Sequence, residues 1–148
     1  MSLLRFVSIY LAPLKWVPLA PQFFDAVLLL WHALFRRETV RLLEAVSRSV
    51  TGWPDVTVSV HRYGGTQFNL GRREIGHIHG NGIVDVLFDS KTRDALIAAG
   101  DAVPHHTWPA SGWVSVPLRR PADASRALLC LRASYERVRD RNATGAVQ

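Results

Sequence analysis

Four of the six histidines in this 148-residue chain lie between Arg72 and Trp113, as two close pairs, His77-Ile78-His79 and His105-His106. Imidazole changes charge near neutral pH, so such pairs suit proton transfer, polarisation of a ligand or metal coordination. Residues two apart on a strand leave the same face, about 7 Å apart at ~3.3 Å per residue. Both rings of the first pair can therefore turn to one proton, one ligand or one ion. Two imidazoles are fewer donors than a metal takes, and His61, Asp85, His105 and His106 are the residues that could complete a set. Neither a metal nor any other cofactor is specified by the sequence.

The second block, PHHTWPASGWVSV, is rich in rigid and aromatic residues. Pro104 and Pro109 stiffen it, so Trp108, Ser111 and Trp113 are expected to be held in place. Aromatic walls with a few convergent polar groups make a small-molecule pocket, although Trp113 also suits a core position at the start of a strand. The expected site therefore has His77, His79 and His106 as catalytic groups and Asp85, Trp108, Ser111 and Trp113 as ligand contacts. Ser111 lacks a G-x-S-x-G elbow and an assigned acid, which argues against a serine nucleophile. There is no phosphate loop, dinucleotide fingerprint or paired-carboxylate motif. Cys130 is the only cysteine, which excludes an internal disulfide and a cysteine-based zinc site; among Leu128, Leu129 and Leu131 it reads as a small buried hydrophobe.

The elements that must position these residues follow from periodicity. Phe23 to about Val50 is helical, with Ala26, Leu29, Leu30, Ala33, Val40, Leu43, Val46 and Val50 able to share a side. Thr51-Gly52-Trp53-Pro54 ends it. Residues 56–61 alternate, with Val56, Val58 and Val60 on the buried side of a half-buried strand. Further strands are expected at 66–70, 73–79, 83–88 and 112–118, with a hairpin at Gly80-Asn81-Gly82. Asp89-Ser90 caps a helix stopped by Gly100. Pro121 and Asp123 open a last helix with Leu128, Leu131, Tyr135 and Val138 inside and Arg126, Arg132, Arg137 and Arg139 outside. The result is an α+β fold: a mainly antiparallel sheet of about five strands with helices packed on one face, preceded by a hydrophobic helical segment. Its expected divisions are an N-terminal helical segment at 1–52, the α+β domain at 53–141 and a flexible tail at 142–148.

The net charge of +6 is uneven. The helical flanks carry the positive charge, and the central histidine region is close to neutral. This suits attraction of the flanks to an anionic membrane surface or to nucleic acid; the plainer alternative is arginine on solvated helix faces. The first 35 residues are mostly aliphatic and aromatic, but Pro13, Pro18 and Pro21 punctuate them and Lys15, Gln22 and Asp25 interrupt them. A spanning helix needs about 20 predominantly apolar residues. A hydrophobic hairpin or interfacial helix fits better, with Trp16, Trp31, Arg36 and Arg37 at headgroup depth. A helix that caps the domain's own core is the other option. Membrane association through residues 1–37, with the main domain in the cytoplasm, is the expectation.

Three blocks, TQFNLGRREIGHIHGNGIVDVLF, VPHHTWPASGWVSVPLR and ALLCLRASYERV, resemble the small family of luciferase domain proteins over about residues 55–138. Many members of that family have a hydrophobic N-terminal segment, and His77, His79, His106, Ser111 and Trp113 are the matching positions here. The family label transfers no demonstrated chemistry, and flavin-dependent luciferases are barrels of a different kind. More distantly, strand Trp113–Leu118 and the helix after it resemble the MmcQ/YjbR group, which implies a CyaY-like fold with a helix-flanked antiparallel sheet. Together these features favour a membrane-associated domain that binds a small apolar molecule in a cleft lined by histidine and tryptophan, where His77 and His79 could transfer protons. The alternative is a non-catalytic binding module that contacts nucleic acid or a protein through its basic helices.

Overall fold

The computed structural model describes residues 19–145. Among these residues two helices come first, α1 (Ala20–Phe35) and α2 (Arg37–Thr51). The periodicity that reads as one helix is broken at Arg36, whose φ of −141° and ψ of 58° leave the helical region. The break separates two different surfaces. α2 is amphipathic and buries Thr39, Leu42, Leu43, Val46 and Val50. α1 buries no residue, and Leu29 and Leu30, expected on the inner side, are exposed.

The sheet has six strands: β1 (Val56–Val60), β2 (Thr66–Leu70), β3 (Arg73–His79), β4 (Ile83–Leu87), β5 (Val103–Pro104) and β6 (Trp113–Pro117). All neighbours pair antiparallel, in the order β1-β2-β3-β4-β6-β5. The five expected strands are present. The sixth, β5, is a two-residue edge within the His-Pro loop, where Pro104 is tolerated because an edge needs fewer donors. Between β4 and β5 lies α3 (Ser90–Ala99), capped by Asp89, which accepts from the Thr92 amide at 2.9 Å. The last described element is α4 (Pro121–Gly145), which runs on through part of the segment expected to be a tail.

Alternation gives the sheet two unlike faces. Phe68, Ile78, Val84, Val86, Val114 and Val116 point to one side and pack with Val46 and Val50 of α2 and with Leu131, Tyr135 and Val138 of α4. Each such side chain contributes about 1.5–3 kcal/mol on burial. Cys130 is part of this core and is buried, as its leucine neighbours implied. The helical layer reaches only the Val56 end of β1. Val58 and Val60 share a face with Phe68 but are 51% and 72% exposed, so the strand expected to be half-buried is an uncovered edge.

On the other face, cross-strand pairing aligns His77 with Asp85 and Asp85 with Ser115. A bulge adds one further group. Phe68 pairs with Gly76 and Asn69 with Glu74, leaving Ile75 without a partner in the ladder. The extra residue inverts the alternation, so Glu74 emerges on the same side as His77 although the two are three apart. Gly76 makes this possible: its φ is +156°, and a Cβ there would come within 2.6 Å of Leu131 Cδ2.

Candidate functional site

Asp85 is the centre of the second face. It is fully buried on β4, and its Oδ1 accepts a hydrogen bond from the Ser115 hydroxyl. Its Oδ2 has no hydrogen-bond partner among the described residues. Around that atom stand His77 Nε2 at 3.6 Å, His79 Nε2 at 3.6 Å and His105 Nε2 at 3.7 Å. These separations are too long for direct hydrogen bonds but close enough for strong electrostatic coupling at a buried site.

The rings are oriented from behind. His77 Nδ1 faces Glu74 Oε1 at 2.5 Å, across the bulge. His79 Nδ1 faces Asp25 Oδ1 of α1 at 3.6 Å, and that carboxylate also accepts from the Gly80 amide at 2.7 Å. His105 Nδ1 instead accepts from the amides of Thr107 and Trp108, both at 3.1 Å. His61, at the end of β1, stacks on His77 with centroids 3.8 Å apart, and its Nδ1 faces the Tyr63 amide. Trp113 lies 5.1 Å from His77 and Trp108 stacks on His105 at 5.2 Å.

The charge states of these rings diverge. Burial pulls His61 down to about 4, and the adjacent His77 adds to the effect. Burial likewise takes His105 to about 4 against a smaller opposing pull from Asp85, and it lowers His106. His77 is also buried, but the carboxylates of Asp85 and Glu74 outweigh desolvation and hold it up to about 9. Desolvation opposes ionisation of Asp85, yet His77, His105 and Ser115 outweigh it and keep its carboxyl below the ordinary range. At neutral pH the cluster thus holds a cationic His77 between two carboxylates, next to neutral His61 and His105.

Of the expected catalytic residues, His77 and His79 meet at Asp85. His106 is on the same side but exposed, stacked 4.5 Å from His105, which takes the inner position instead. Adjacent residues in an irregular loop carry no alternation to say which one turns inward. Trp108 and Trp113 border the cluster by packing on its rings. Ser111 braces the loop: its Oγ donates to Trp108 O at 2.6 Å and accepts from the Trp113 amide at 3.2 Å. Glu74 and Asp25 were not expected at the site. Glu74 has the wrong parity for a regular strand, and Asp25 is 52 residues before His77 in a segment read only for its hydrophobicity.

A groove of about 530 Å³ opens beside the cluster, between α1, α2 and the ends of β2 and β3. Leu29, Ala33, Val40, Leu43 and Ile78 form its apolar lining, while Asp25 and His79 join it to the site. α1 can approach this closely because Gly80 has no side chain: a Cβ there would meet Leu29 Cβ at 3.0 Å and Asp25 O at 2.5 Å.

No curated protein and no solved structure matches the chain. The central part does match a family. Residues 72–134, which supply Glu74, His77, His79, Asp85 and His105 but neither Asp25 nor His61, match the family described as Luciferase domain.

Proposed function

We propose that this protein binds a small apolar molecule in the groove between α1 and α2 and presents it to His79 and the buried histidine cluster. The observation that carries the reading is the continuity of the groove: its aliphatic lining ends on His79 and Asp25, two members of the polar site. An apolar body with a polar tip fits such a lining. His77 and His79 are the groups that would polarise or exchange a proton with that tip, with His105 behind them and His106 at the rim. Asp85 fixes the rings, and Trp108 and Trp113 seal their other side.

Delivery from a membrane surface belongs to the same reading. Phe23, Leu30, Trp31, Leu34 and Phe35 of α1 are 56–73% exposed, and Arg36 and Arg37 follow them. An apolar helix face next to basic residues suits the bilayer interface. No helix among the described residues is long and apolar enough to cross a membrane. Residues 1–18, including Trp16, lie outside the described part, so the support comes from α1 alone. The nucleic-acid alternative is weakened by the arginines of α4. Arg126 pairs with Asp123, Arg132 lies over Trp53 and Arg137 donates to the Leu87 carbonyl.

The test is ligand capture. The full-length protein, purified in mild detergent, is extracted with organic solvent and also titrated with a fluorescent fatty acid. A co-purified apolar compound, and probe binding that Ala33→Trp abolishes, are expected. Equal probe binding by wild type and Ala33→Trp would overturn the groove assignment.

A further inference from the structure

The unpartnered oxygen of Asp85 raises a separate question. A fully buried carboxylate oxygen aimed at imidazole nitrogens, with no proton donor within hydrogen-bond distance among the described residues, is a costly arrangement unless something else satisfies it. Donor atoms sharing a tetrahedral ion at about 2.1 Å stand about 3.4 Å from one another. The 3.6 Å separations from Asp85 Oδ2 to His77 Nε2 and His79 Nε2 are close to that value and well beyond a hydrogen bond.

The partners behind each ring decide which nitrogens are free to ligate. A neutral imidazole has one N–H and one lone pair, and the contact made by one nitrogen fixes the role of the other. His77 Nδ1 lies 2.5 Å from Glu74, so an ion would displace the Nε2 proton of this cationic ring and leave the Nδ1 proton facing the carboxylate; His79 stands 3.6 Å from Asp25 through Nδ1 and 3.6 Å from Asp85 through Nε2, and can take the same arrangement. This is the carboxylate–histidine pairing that commonly backs metal ligands. His105 is the opposite case. Its Nδ1 accepts two backbone amides, which puts its proton on Nε2 and makes it a donor directed at Asp85. His61 Nδ1 also faces an amide, that of Tyr63, and the same reasoning removes its Nε2 from the ligand set.

We propose that His77 Nε2, His79 Nε2 and Asp85 Oδ2 bind one divalent first-row transition-metal ion. Glu74 and Asp25 stand behind the two imidazoles, Ser115 donates to Asp85 Oδ1, and His105 turns its Nε2–H towards the carboxylate from 3.7 Å. Two nitrogens and one oxygen favour such an ion over magnesium or calcium, which take all-oxygen sets. Three protein ligands leave coordination positions free, the arrangement of a reactive site and not of a closed structural one. His79 lies in the groove wall, so the site has a route to solvent. Fungible proximity is not enough to make a ligand here. The ligand atoms of His61 group with those of His77 and His79, and those of His105 and His106 with Asp85, but His61 and His105 turn an accepting Nδ1 to backbone amides and His106 is exposed at the rim.

Cobalt(II) is the probe. Untagged full-length protein, stripped with a chelator, is titrated with cobalt(II) alone and followed by its visible absorption and by elemental analysis. One cobalt per chain is expected, displaced by zinc and not by magnesium. His79→Gln and Asp85→Asn should abolish uptake. Glu74→Gln should weaken it about 10–100-fold. His105→Gln and His61→Gln should retain it within a few-fold. Far-ultraviolet circular dichroism identifies any variant that fails to fold, and the wild-type titration stands without the variants. Absence of stoichiometric uptake by the wild type, or unchanged uptake by folded His79→Gln, would overturn the proposal. So would equal loss in His105→Gln and His79→Gln. No organic ligand is used, so failure of the metal site leaves the groove reading standing, and the reverse also holds.

Discussion

Glu74 Oε1 lies 2.5 Å from His77 Nδ1, although a regular strand would put residues three apart on opposite faces. The contact exists because the bulge at Ile75 inserts one residue between them, and the bulge depends on the absence of a side chain at Gly76.

Gly76→Ala should therefore be more harmful than an ordinary glycine substitution. Its methyl would press on Leu131 and on the Asp85 carbonyl at 2.9 Å, in a backbone conformation that alanine rarely adopts. A loss of about 1–3 kcal/mol is expected from overpacking alone, read as a lower urea midpoint. A midpoint equal to wild type would show that the bulge can relax without its glycine.

Leu131→Ala should cost about 2–5 kcal/mol, because the side chain is fully buried against the sheet. Arg132→Ala should cost about 0.5–1 kcal/mol through loss of its position over Trp53. Thermal melts of the two variants check the order, and equal effects would mean that the inner face of α4 is misassigned.

Exchange of His77 should disturb the fold more than exchange of His106. In His77→Gln, Asp85 and Glu74 lose the cation between them, and a cost of about 1–3 kcal/mol follows from stranding buried acceptors. His106 is exposed, and His106→Gln should leave the melting temperature within the ordinary range of surface changes, about 0.5 kcal/mol. Similar melting temperatures for both variants would contradict the buried ion cluster.

The metal-free protein should be most stable near pH 6.5. His61 and His105 have folded values of about 4, below the ordinary 6.5. The unfolded chain binds more protons there, so their stability is present above 6.5 and is lost as the pH falls towards 4. His77 is raised to about 9, and its contribution is present below 6.5 and is lost as the pH climbs towards 9. Chemical denaturation in chelator from pH 4 to 9 should trace a maximum between two declining limbs. A flat profile would show that these rings do not differ in proton affinity between the folded and unfolded states.

Much of this architecture was legible from residue patterns. The strand alternation, the Gly80-Asn81-Gly82 hairpin and the Asp89 cap are local signals, and the structure reproduces them. His77 and His79 on one face follow from the same parity. What escaped was non-local. The break at Arg36 has no glycine or proline to announce it, and the exposure of Val58 and Val60 depends on where a distant helix ends. Asp25 reaches His79 only because α1 folds back over the Gly80 turn.

The two-faced sheet also bears on how the chain finds its pairing. Sliding β3 or β4 by one residue would exchange Ile78 for a histidine and Val84 or Val86 for Asp85 in the hydrophobic layer. Misaligned hairpins would then have to bury ionisable groups among aliphatic side chains, away from the polar groups that surround them in the native arrangement. The residues that equip the protein for chemistry thereby act as an alignment key during folding. Their replacement by apolar residues, even where it raised the stability of the final fold, would remove the penalty that separates the correct register from its neighbours.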